Sequence, residues 1–334
     1  MQPSLDTEIK KVLITIPLKT EHKEKLKDCL PDAELVFCDS SESERIEEEL
    51  LLADVALLSG RIDDRYLRAP RLKWIHVDVA GMDSSASKKV LQSGLMVTGS
   101  AGRSAPALVE HVLFFMLNHT YKIRNILDAQ LRHSWGYEEQ GQTRALAGQT
   151  IGIIGFGHTG RALAQMAGYF GMRVLVYNRS AHDVPEYIEE FYTKEQGDSI
   201  LPLLQKSDFV VMAAALTNET YHILGREELK EMKPSAFLIN LGRGKCIDET
   251  ALAEALKEGK IAGAGLDTFE KEPLPAESEL WQMNKVMITP HFTPPCPAKT
   301  GRSLEIIMEN IKRLQTGQPL LNQLMQEDVF DILS

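Results

Sequence analysis

Residues 151–160 read I-G-I-I-G-F-G-H-T-G, which sets Gly155, Gly157 and Gly160 in the spacing G-x-G-x-x-G. An apolar run of strand character precedes them. The stretch that follows, R-A-L-A-Q-M-A-G-Y-F-G, carries Leu and Met at helical intervals up to Gly171. After Gly171 comes R-V-L-V-Y, a second apolar run. Strand, glycines, helix and strand make one βαβ unit. In such a unit the first glycine permits a tight turn, the second lets the backbone approach a pyrophosphate, and the third lets helix and strand pack closely. The N–H groups that open the helix, at His158, Thr159 and Gly160, are then the phosphate donors. A glycine-rich turn without a ligand is the bland alternative; the context argues against it, because all four parts fall together.

The end of the second strand selects the cofactor. An acidic residue there binds both ribose hydroxyls of NAD and repels a 2′-phosphate; here the residue is Asn178, followed by Arg179 and Ser180. A cation and a hydroxyl donor suit a phosphate dianion, so NADP(H) is favoured over NAD(H). The competing reading has Arg179 stacking on adenine or facing solvent while Asn178 keeps the ribose hydroxyls of NAD.

The same alternation extends in both directions. Downstream lie D-F-V-V-M-A-A, A-F-L-I-N-L-G, a helix over 249–258, I-A-G-A-G-L-D and K-V-M-I-T-P-H. Upstream lie short apolar runs at Lys11–Ile16, Glu34–Cys38, Val55–Ser59, Trp74–Val79 and Leu95–Thr98, the pattern of parallel strands buried on both faces. Between them E-H-K-E-K-L-K-D-C-L and S-E-S-E-R-I-E-E-E-L-L read as surface helices with one inward face. The acidic run Glu42–Glu49 reads as a solvated helix face rather than a partner patch. One long helix is expected from Ser104 through Leu127, capped by Ser104 and with Pro106 in its first turn, linking two domains. The fold class is α/β: two Rossmann-like or flavodoxin-like domains with parallel sheets. The substrate-binding domain is expected to span 1–100 and 292–334, and the dinucleotide-binding domain 101–291. An amphipathic helix over 299–314 returns the tail to the first domain, and the short stretch after it is not expected to carry a regulatory domain.

With 37 Lys and Arg against 47 Asp and Glu in 334 residues, the formal net charge is −10. That balance disfavours nucleic acid and anionic membrane surfaces as partners. No run reaches the roughly 18 apolar residues of a membrane span. The N-terminus M-Q-P-S-L-D-T-E-I-K-K is polar and acidic, unlike a secretory leader. Cys29, Cys38, Cys246 and Cys296 stand at irregular separations, with no C-x-x-C and no H-E-x-x-H, so they form neither a disulfide framework nor a metal-ligand pattern. The expectation is a reduced, cytoplasmic, metal-free protein acting on a small molecule.

Three further segments converge on one chemistry: N-L-G-R-G at 240–244, G-A-G-L-D-T-F-E-K-E-P at 263–273 and I-T-P-H at 288–291. With the glycine fingerprint, and in this order, they resemble the D-isomer specific 2-hydroxyacid dehydrogenases, which include glyoxylate/hydroxypyruvate reductases and phosphoglycerate dehydrogenases, over nearly the whole chain. The resemblance implies an NAD(P)-dependent oxidoreductase that reduces a 2-oxo acid to a D-2-hydroxy acid. It implies that Arg243 binds the substrate carboxylate and polarises the carbonyl, since a planar guanidinium can hold two oxygens at once. His291 corresponds to the acid/base, an imidazole being suited to both directions near neutral pH. Glu272 corresponds to the glutamate that hydrogen-bonds this histidine, favouring its imidazolium form and fixing the ring. Glu270, two residues upstream, is set aside on motif register alone. Asp267 matches the aspartate beside the nicotinamide carboxamide, and Thr159, Leu241 and Gly242 match backbone that lines the cofactor. V-A-G-M-D at 79–83 resembles the loop whose N–H groups, here of Ala80 and Gly81, grip the carboxylate, facing Arg243 across an interdomain cleft.

Departures from the family pattern leave the substrate open. Ala213-Ala214-Ala215-Leu216-Thr217 stands where H-x-P-L-T is frequent, Phe292-Thr293-Pro294-Pro295 where small residues usually follow the histidine, and Met82 where a smaller aliphatic is usual. Phe292 narrows the pocket, favours an apolar substrate tail or repositions the hinge. Glu272 argues against formate as substrate, because formate dehydrogenases usually place Gln there. The resemblance implies a homodimer built around the helix after Ser104, where Leu108, Val109, Val112 and Phe115 exceed what one domain face needs. Two other functions compete: a dinucleotide-sensing interaction protein of the same fold, and a specialised dehydrogenase of a larger or phosphorylated acid.

Overall fold

The five strands before Ser104 are each four residues long and mostly apolar, a pattern that suits coverage on both faces. In chain order the elements are β1 (Lys11–Ile14), α1 (Thr20–Cys29), β2 (Glu34–Phe37), α2 (Ser43–Leu50), β3 (Val55–Leu58), α3 (Asp64–Leu67), β4 (Trp74–Val77), α4 (Lys88–Gln92) and β5 (Met96–Gly99). The computed structural model describes residues 8–180 and 183–331. The chain divides into two units, Met1–Ser104 with Pro295–Ser334, and Ala105–Pro294.

In the first unit the strands pair in parallel in the order β2-β1-β3-β4-β5. The two-residue period of a strand sorts their side chains to opposite faces. Val12, Ile14, Val55, Leu57 and Trp74 join one core cluster; Leu13, Ala56, Leu58, Ile75 and Val77 join another. Ile46 and Leu50 of α2, Tyr66 of α3 and Val90 of α4 close the second cluster. The first is closed by Leu26 of α1 and by Leu304, Ile307, Ile311 and Leu314 from the C-terminal end of the chain. Burying each such side chain contributes about 1.5–3 kcal/mol, which is why the tail is integral to this unit. The segment beyond also pairs with β5: Leu324 N–H donates to Val97 O at 2.8 Å, and Asn322 Nδ2 donates to the carbonyls of Gly99 and Ala101 at 3.2 and 3.1 Å.

The second unit opens with α5 (Ala105–Tyr121) and α6 (Ile123–Leu131), then alternates through β6 (Thr150–Ile154), α7 (His158–Tyr169), β7 (Arg173–Asn178), β8 (Glu190–Thr193), α8 (Leu201–Lys206), β9 (Phe209–Met212), α9 (Arg226–Glu231), β10 (Phe237–Asn240), α10 (Glu249–Lys257), β11 (Gly263–Leu266) and β12 (Val286–Ile288). The helix α11 (Lys299–Gln315) belongs to the first unit. The seven strands pair in parallel in the order β12-β11-β10-β9-β6-β7-β8. From β6 the chain builds outward through β7 and β8, then returns to add β9 on the other side of β6. In an open parallel sheet such a reversal leaves a crevice at the C-terminal ends of the two central strands, here β6 and β9.

Two expectations change. The long helix is two helices, because Lys122 adopts a left-handed φ of 53° between α5 and α6. No Gly or Pro marks that break, so the apolar pattern runs through it unbroken. The apolar residues open to a dimer contact also differ from those expected. Val112 and Phe115 are buried in the unit's own core with Leu163, Ala164 and Ile153, and Val109 packs against it. The apolar side chains of this region that reach solvent are Phe114, Tyr121, Leu127, Leu131 and Trp135.

Candidate active site

The crevice at the end of β6 is shaped by glycine. Gly155 has φ 99°, which L side chains rarely adopt, and a Cβ there would lie 2.6 Å from Ala214 N, on the loop after β9. At Gly160 a Cβ would lie 2.0 Å from Gly155 O, so the first turn of α7 packs directly on the strand end. Gly157 is different: a Cβ there would meet nothing within 4 Å. It is the N-cap residue of α7 and, as glycine, brings no side-chain cap of its own. His158 is exposed and Thr159 half-buried. Open space at Gly157 and the positive end of a 12-residue helix fit the pyrophosphate of a dinucleotide.

At the end of β7, Asn178 holds backbone. Its Oδ1 accepts Phe156 N–H at 3.0 Å and its Nδ2 donates to Ser180 O at 2.9 Å, tying the glycine loop to the 178–180 turn. Arg179 is exposed and Ser180 half-buried.

Across the sheet, Asn240 ends β10 and folds the next turn: its Oδ1 accepts Gly242 N–H and its Nδ2 donates to Arg243 O, both at 3.1 Å. Arg243 Nη1 donates to Gly242 O at 2.8 Å. Leu241, Gly242 and Arg243 are half-buried. Gly244 must lack a side chain, since a Cβ would lie 1.8 Å from the Phe269 carbonyl carbon. That close approach sets the Arg243 turn against the segment carrying Asp267, Glu270 and Glu272.

The two glutamates have separate partners. Glu272 Oε1 accepts Phe269 N–H at 3.0 Å and Oε2 accepts from His291 Nδ1 at 2.6 Å. Glu270 Oε1 accepts from His222 Nε2 at 2.8 Å and from Glu249 N–H at 3.1 Å. Burial pushes the Glu249 carboxyl above its ordinary value. A carboxylate only accepts, so His291 carries a proton on Nδ1, and Nε2 is the ring atom at which a proton is gained or lost.

His291 has a left-handed φ of 49°. For a residue with a Cβ this costs roughly 1–2 kcal/mol. Asp267 supplies much of what holds it: its backbone carbonyl accepts His291 N–H at 2.9 Å, and its Oδ1 accepts Phe292 N–H at 2.8 Å and Thr289 Oγ1–H at 2.6 Å. Expected beside the nicotinamide, Asp267 is only 2% exposed and is an anchor of the histidine loop.

In the first unit the loop after β4 begins at Asp78. Among the described residues, the N–H groups of Ala80 and Gly81 make no hydrogen bond within the protein. Beneath them runs a directional chain. Trp74 Nε1–H donates to Thr98 Oγ1 at 2.8 Å, Thr98 pairs with His76 Nδ1 at 2.9 Å, His76 Nε2 pairs with Ser100 Oγ at 2.9 Å, and Ser100 donates to Asp78 at 2.8 Å. Arg103 forms an ion pair with Asp78. Burial opposes ionisation of Asp78, yet hydrogen bonds from Ser303 and Ser100 and the Arg103 charge hold its carboxyl below the ordinary value. Burial pushes the His76 imidazole down to about 4, so it is neutral.

Sequence reasoning missed Asn240, which lies inside the quoted N-L-G-R-G, the His76–Ser100–Asp78–Arg103 chain, and His111, which bonds Thr289 and Thr293 on either side of His291. The available signal for His111 was a histidine interrupting L-V-E-H-V-L-F-F.

Residues 113–293 match the family described as D-isomer specific 2-hydroxyacid dehydrogenase, NAD binding domain. The chain is 36% identical over 294 residues, 83% of its own length and 86% of the other protein's, to the glyoxylate reductase of Thermococcus gammatolerans. It is similar to a D-isomer specific 2-hydroxyacid dehydrogenase from Xanthobacter autotrophicus solved with NADPH and MES, with a TM-score of 0.79 and 29% identity over 96% of this chain and 99% of that one. It is similar as well to the NADPH-dependent glyoxylate/hydroxypyruvate reductase of Sinorhizobium meliloti solved with NADP and sulfate: TM-score 0.77, 26% identity, 95% of this chain and 98% of that one.

Proposed function

We propose, because the chain belongs to the D-isomer specific 2-hydroxyacid dehydrogenases, that it reduces small 2-oxo acids of the glyoxylate and hydroxypyruvate class to D-2-hydroxy acids with NADPH. The 2.6 Å pair of His291 Nδ1 with Glu272, which leaves Nε2 free to give and take the transferred proton, carries the reading.

A bound reduced nicotinamide dinucleotide supplies the hydride that adds to the carbonyl carbon. The α7 N-terminus, with Gly155, Gly157, His158, Thr159 and Gly160, would hold its pyrophosphate, Leu241 and Gly242 would border the nicotinamide, and Asp267 would act from behind by anchoring the His291 loop. The N–H groups of Ala80 and Gly81, which bond nothing among the described residues, are suited to a carboxylate. Arg243 holds carboxylate and carbonyl oxygens and stabilises charge as it develops on the latter. His291 Nε2 gives its proton to that oxygen, and Glu272 stabilises the imidazolium before transfer. The preference for NADPH rests on Arg179 and Ser180, and on Asn178 Oδ1 being engaged by Phe156 N–H. Exposed Phe292 beside His291 favours an apolar substituent on the substrate over a charged one.

The working form is a homodimer, its contact supplied by exposed Phe114, Leu127, Leu131 and Trp135. A reducing, cytoplasmic setting agrees with free thiols at Cys29, Cys38, Cys246 and Cys296. The substitution His291→Ala tests the chemistry: kcat falls by about 10²-fold to 10⁴-fold while NADPH affinity is retained. Unchanged turnover would remove His291 from the mechanism.

A further inference from the structure

His111 lies on α5 among apolar neighbours, 6% exposed, with its ring stacked on Phe115 at a centroid distance of 4.8 Å. Its Nε2 lies 3.2 Å from Thr289 Oγ1 and its Nδ1 lies 3.1 Å from Thr293 Oγ1. These threonines stand two residues before and two residues after His291.

Proton counting gives the chain a direction. Thr289 has one hydroxyl proton, and Asp267 Oδ1 takes it at 2.6 Å. Thr289 Oγ1 must therefore accept from His111 Nε2–H. A neutral imidazole then offers Nδ1 as acceptor, and Thr293 Oγ1–H fills it. Burial pushes the His111 imidazole below its ordinary value, against the pull of Asp267, in keeping with the neutral ring. Asp267, His111 and the two threonines thus form one fully used set of hydrogen bonds around a residue whose backbone is left-handed.

We propose that His111 is a positioning residue for the reduction: it staples both shoulders of the His291 loop, so that the left-handed backbone persists and the imidazole stays on Glu272. The inference rests on the assignment of His291 as the acid/base. The ring does not touch the reacting atoms in this account; it acts through His291. A helix-borne anchor suits that task, because its own position is fixed by the core of the second unit.

A double-mutant cycle separates this role from a merely structural one. His111→Phe keeps the stack on Phe115 and removes both hydrogen bonds. His111→Gln keeps one donor and one acceptor. Both are made in the full-length chain, alone and with His291→Ala, and assayed for NADPH oxidation with glyoxylate alongside NADPH affinity. The expected result is a kcat loss of about 10-fold or more for His111→Phe with NADPH affinity unchanged, retention within about 3-fold for His111→Gln, and no further loss when His111→Phe is added to His291→Ala. If His291→Ala abolishes turnover while His111→Phe leaves it intact, the staple is refuted and the acid/base assignment stands. An equal loss from His111→Phe in both backgrounds refutes it too, since the effect then bypasses His291.

Ring ¹⁵N shifts of His291, identified by their disappearance in His291→Ala, supply a readout independent of turnover. The staple predicts that the Nδ1–H signature of the wild type weakens in His111→Phe and returns in His111→Gln; an unchanged signature in His111→Phe overturns it, whatever the rates. Should His111→Phe not fold, Thr293→Val, which removes the donor to Nδ1, is held to the same expectations.

Discussion

Replacing Glu272 with Gln is a one-atom change whose consequence can be worked out from hydrogen-bond roles. Both carboxylate oxygens accept from donors, Oε1 from Phe269 N–H at 3.0 Å and Oε2 from His291 Nδ1 at 2.6 Å. Gln offers one oxygen and one NH₂. If the oxygen stays on Phe269, the NH₂ faces Nδ1, which must then become an acceptor and surrender its proton. The imidazolium, which needs both nitrogens protonated, loses its partner. A hydrogen bond to a charged group is worth about 1.5–3 kcal/mol net. The side chains here are 51% and 35% exposed, so solvent screening brings the figure nearer to about 1–2 kcal/mol. That converts to a fall of roughly 5-fold to 30-fold in kcat. Steady-state NADPH oxidation with glyoxylate reads the effect, and NADPH fluorescence titration shows that cofactor affinity is retained. Glu270→Gln is the control: its carboxylate serves His222 and Glu249, so kcat should stay within about 3-fold while thermal stability drops by a fraction of the 1–3 kcal/mol that an orphaned group costs. Equal effects at the two positions, or a Glu272→Gln enzyme as fast as wild type, would refute the reasoning.

Arg179→Ala should raise the dissociation constant for NADPH by about 10-fold to 150-fold, the equivalent of roughly 1.5–3 kcal/mol, and leave that for NADH nearly unchanged; equal effects on both would contradict the phosphate assignment. Acid should loosen both units. Burial lowers His76 and His119 from 6.5 to about 4. Unfolded chains therefore take up protons first, so the contribution is intact above pH 6.5 and is lost as pH falls toward 4, by roughly 3 kcal/mol per ring. Urea midpoints measured between pH 7.5 and 4.5 should fall accordingly, and a flat midpoint would rule this out. Leu131→Glu combined with Trp135→Glu should give a single-chain mass by light scattering where the parent gives twice that; a dimer that survives both would put the contact elsewhere.

Much of this architecture was legible because parallel strands buried on both faces are apolar at nearly every position, as V-A-L-L is throughout and W-I-H-V is but for His76, and because glycine spacing records backbone contacts. The strand ends were less legible: the runs at Lys11–Ile16 and Trp74–Val79 outlast β1 and β4 by two residues each, because past the ladder Thr15 and Ile16 stay buried and Asp78 and Val79 half-buried. The half-buried edge strand β8 gave little signal, having no second neighbour and only E-F-Y-T to read. At the candidate site, His291, Glu272 and Arg243 are proposed from motif order and Glu270 is set aside on register, while the separate partners of the two glutamates need coordinates. The supporting roles were illegible for a physical reason. His111 and Asp267 act on groups distant in sequence, Thr289 and Thr293 for the first and Thr289, His291 and Phe292 for the second, while Asn240 folds only its own turn, and such pairings leave no periodicity. Asp267 shows the reverse hazard, since a motif position conceals that its carboxylate is spent on the loop beside it.

The most direct measurement is the initial rate of NADPH and NADH oxidation with glyoxylate, hydroxypyruvate, pyruvate, phenylpyruvate and a branched 2-oxo acid, followed by chiral analysis of the products. An NADPH-dependent D-2-hydroxyacid dehydrogenase gives turnover with NADPH preferred and D-configured hydroxy acids wherever the product is chiral. Demonstrated dinucleotide binding with no oxidation by any 2-oxo acid, or products of L configuration, would contradict that assignment.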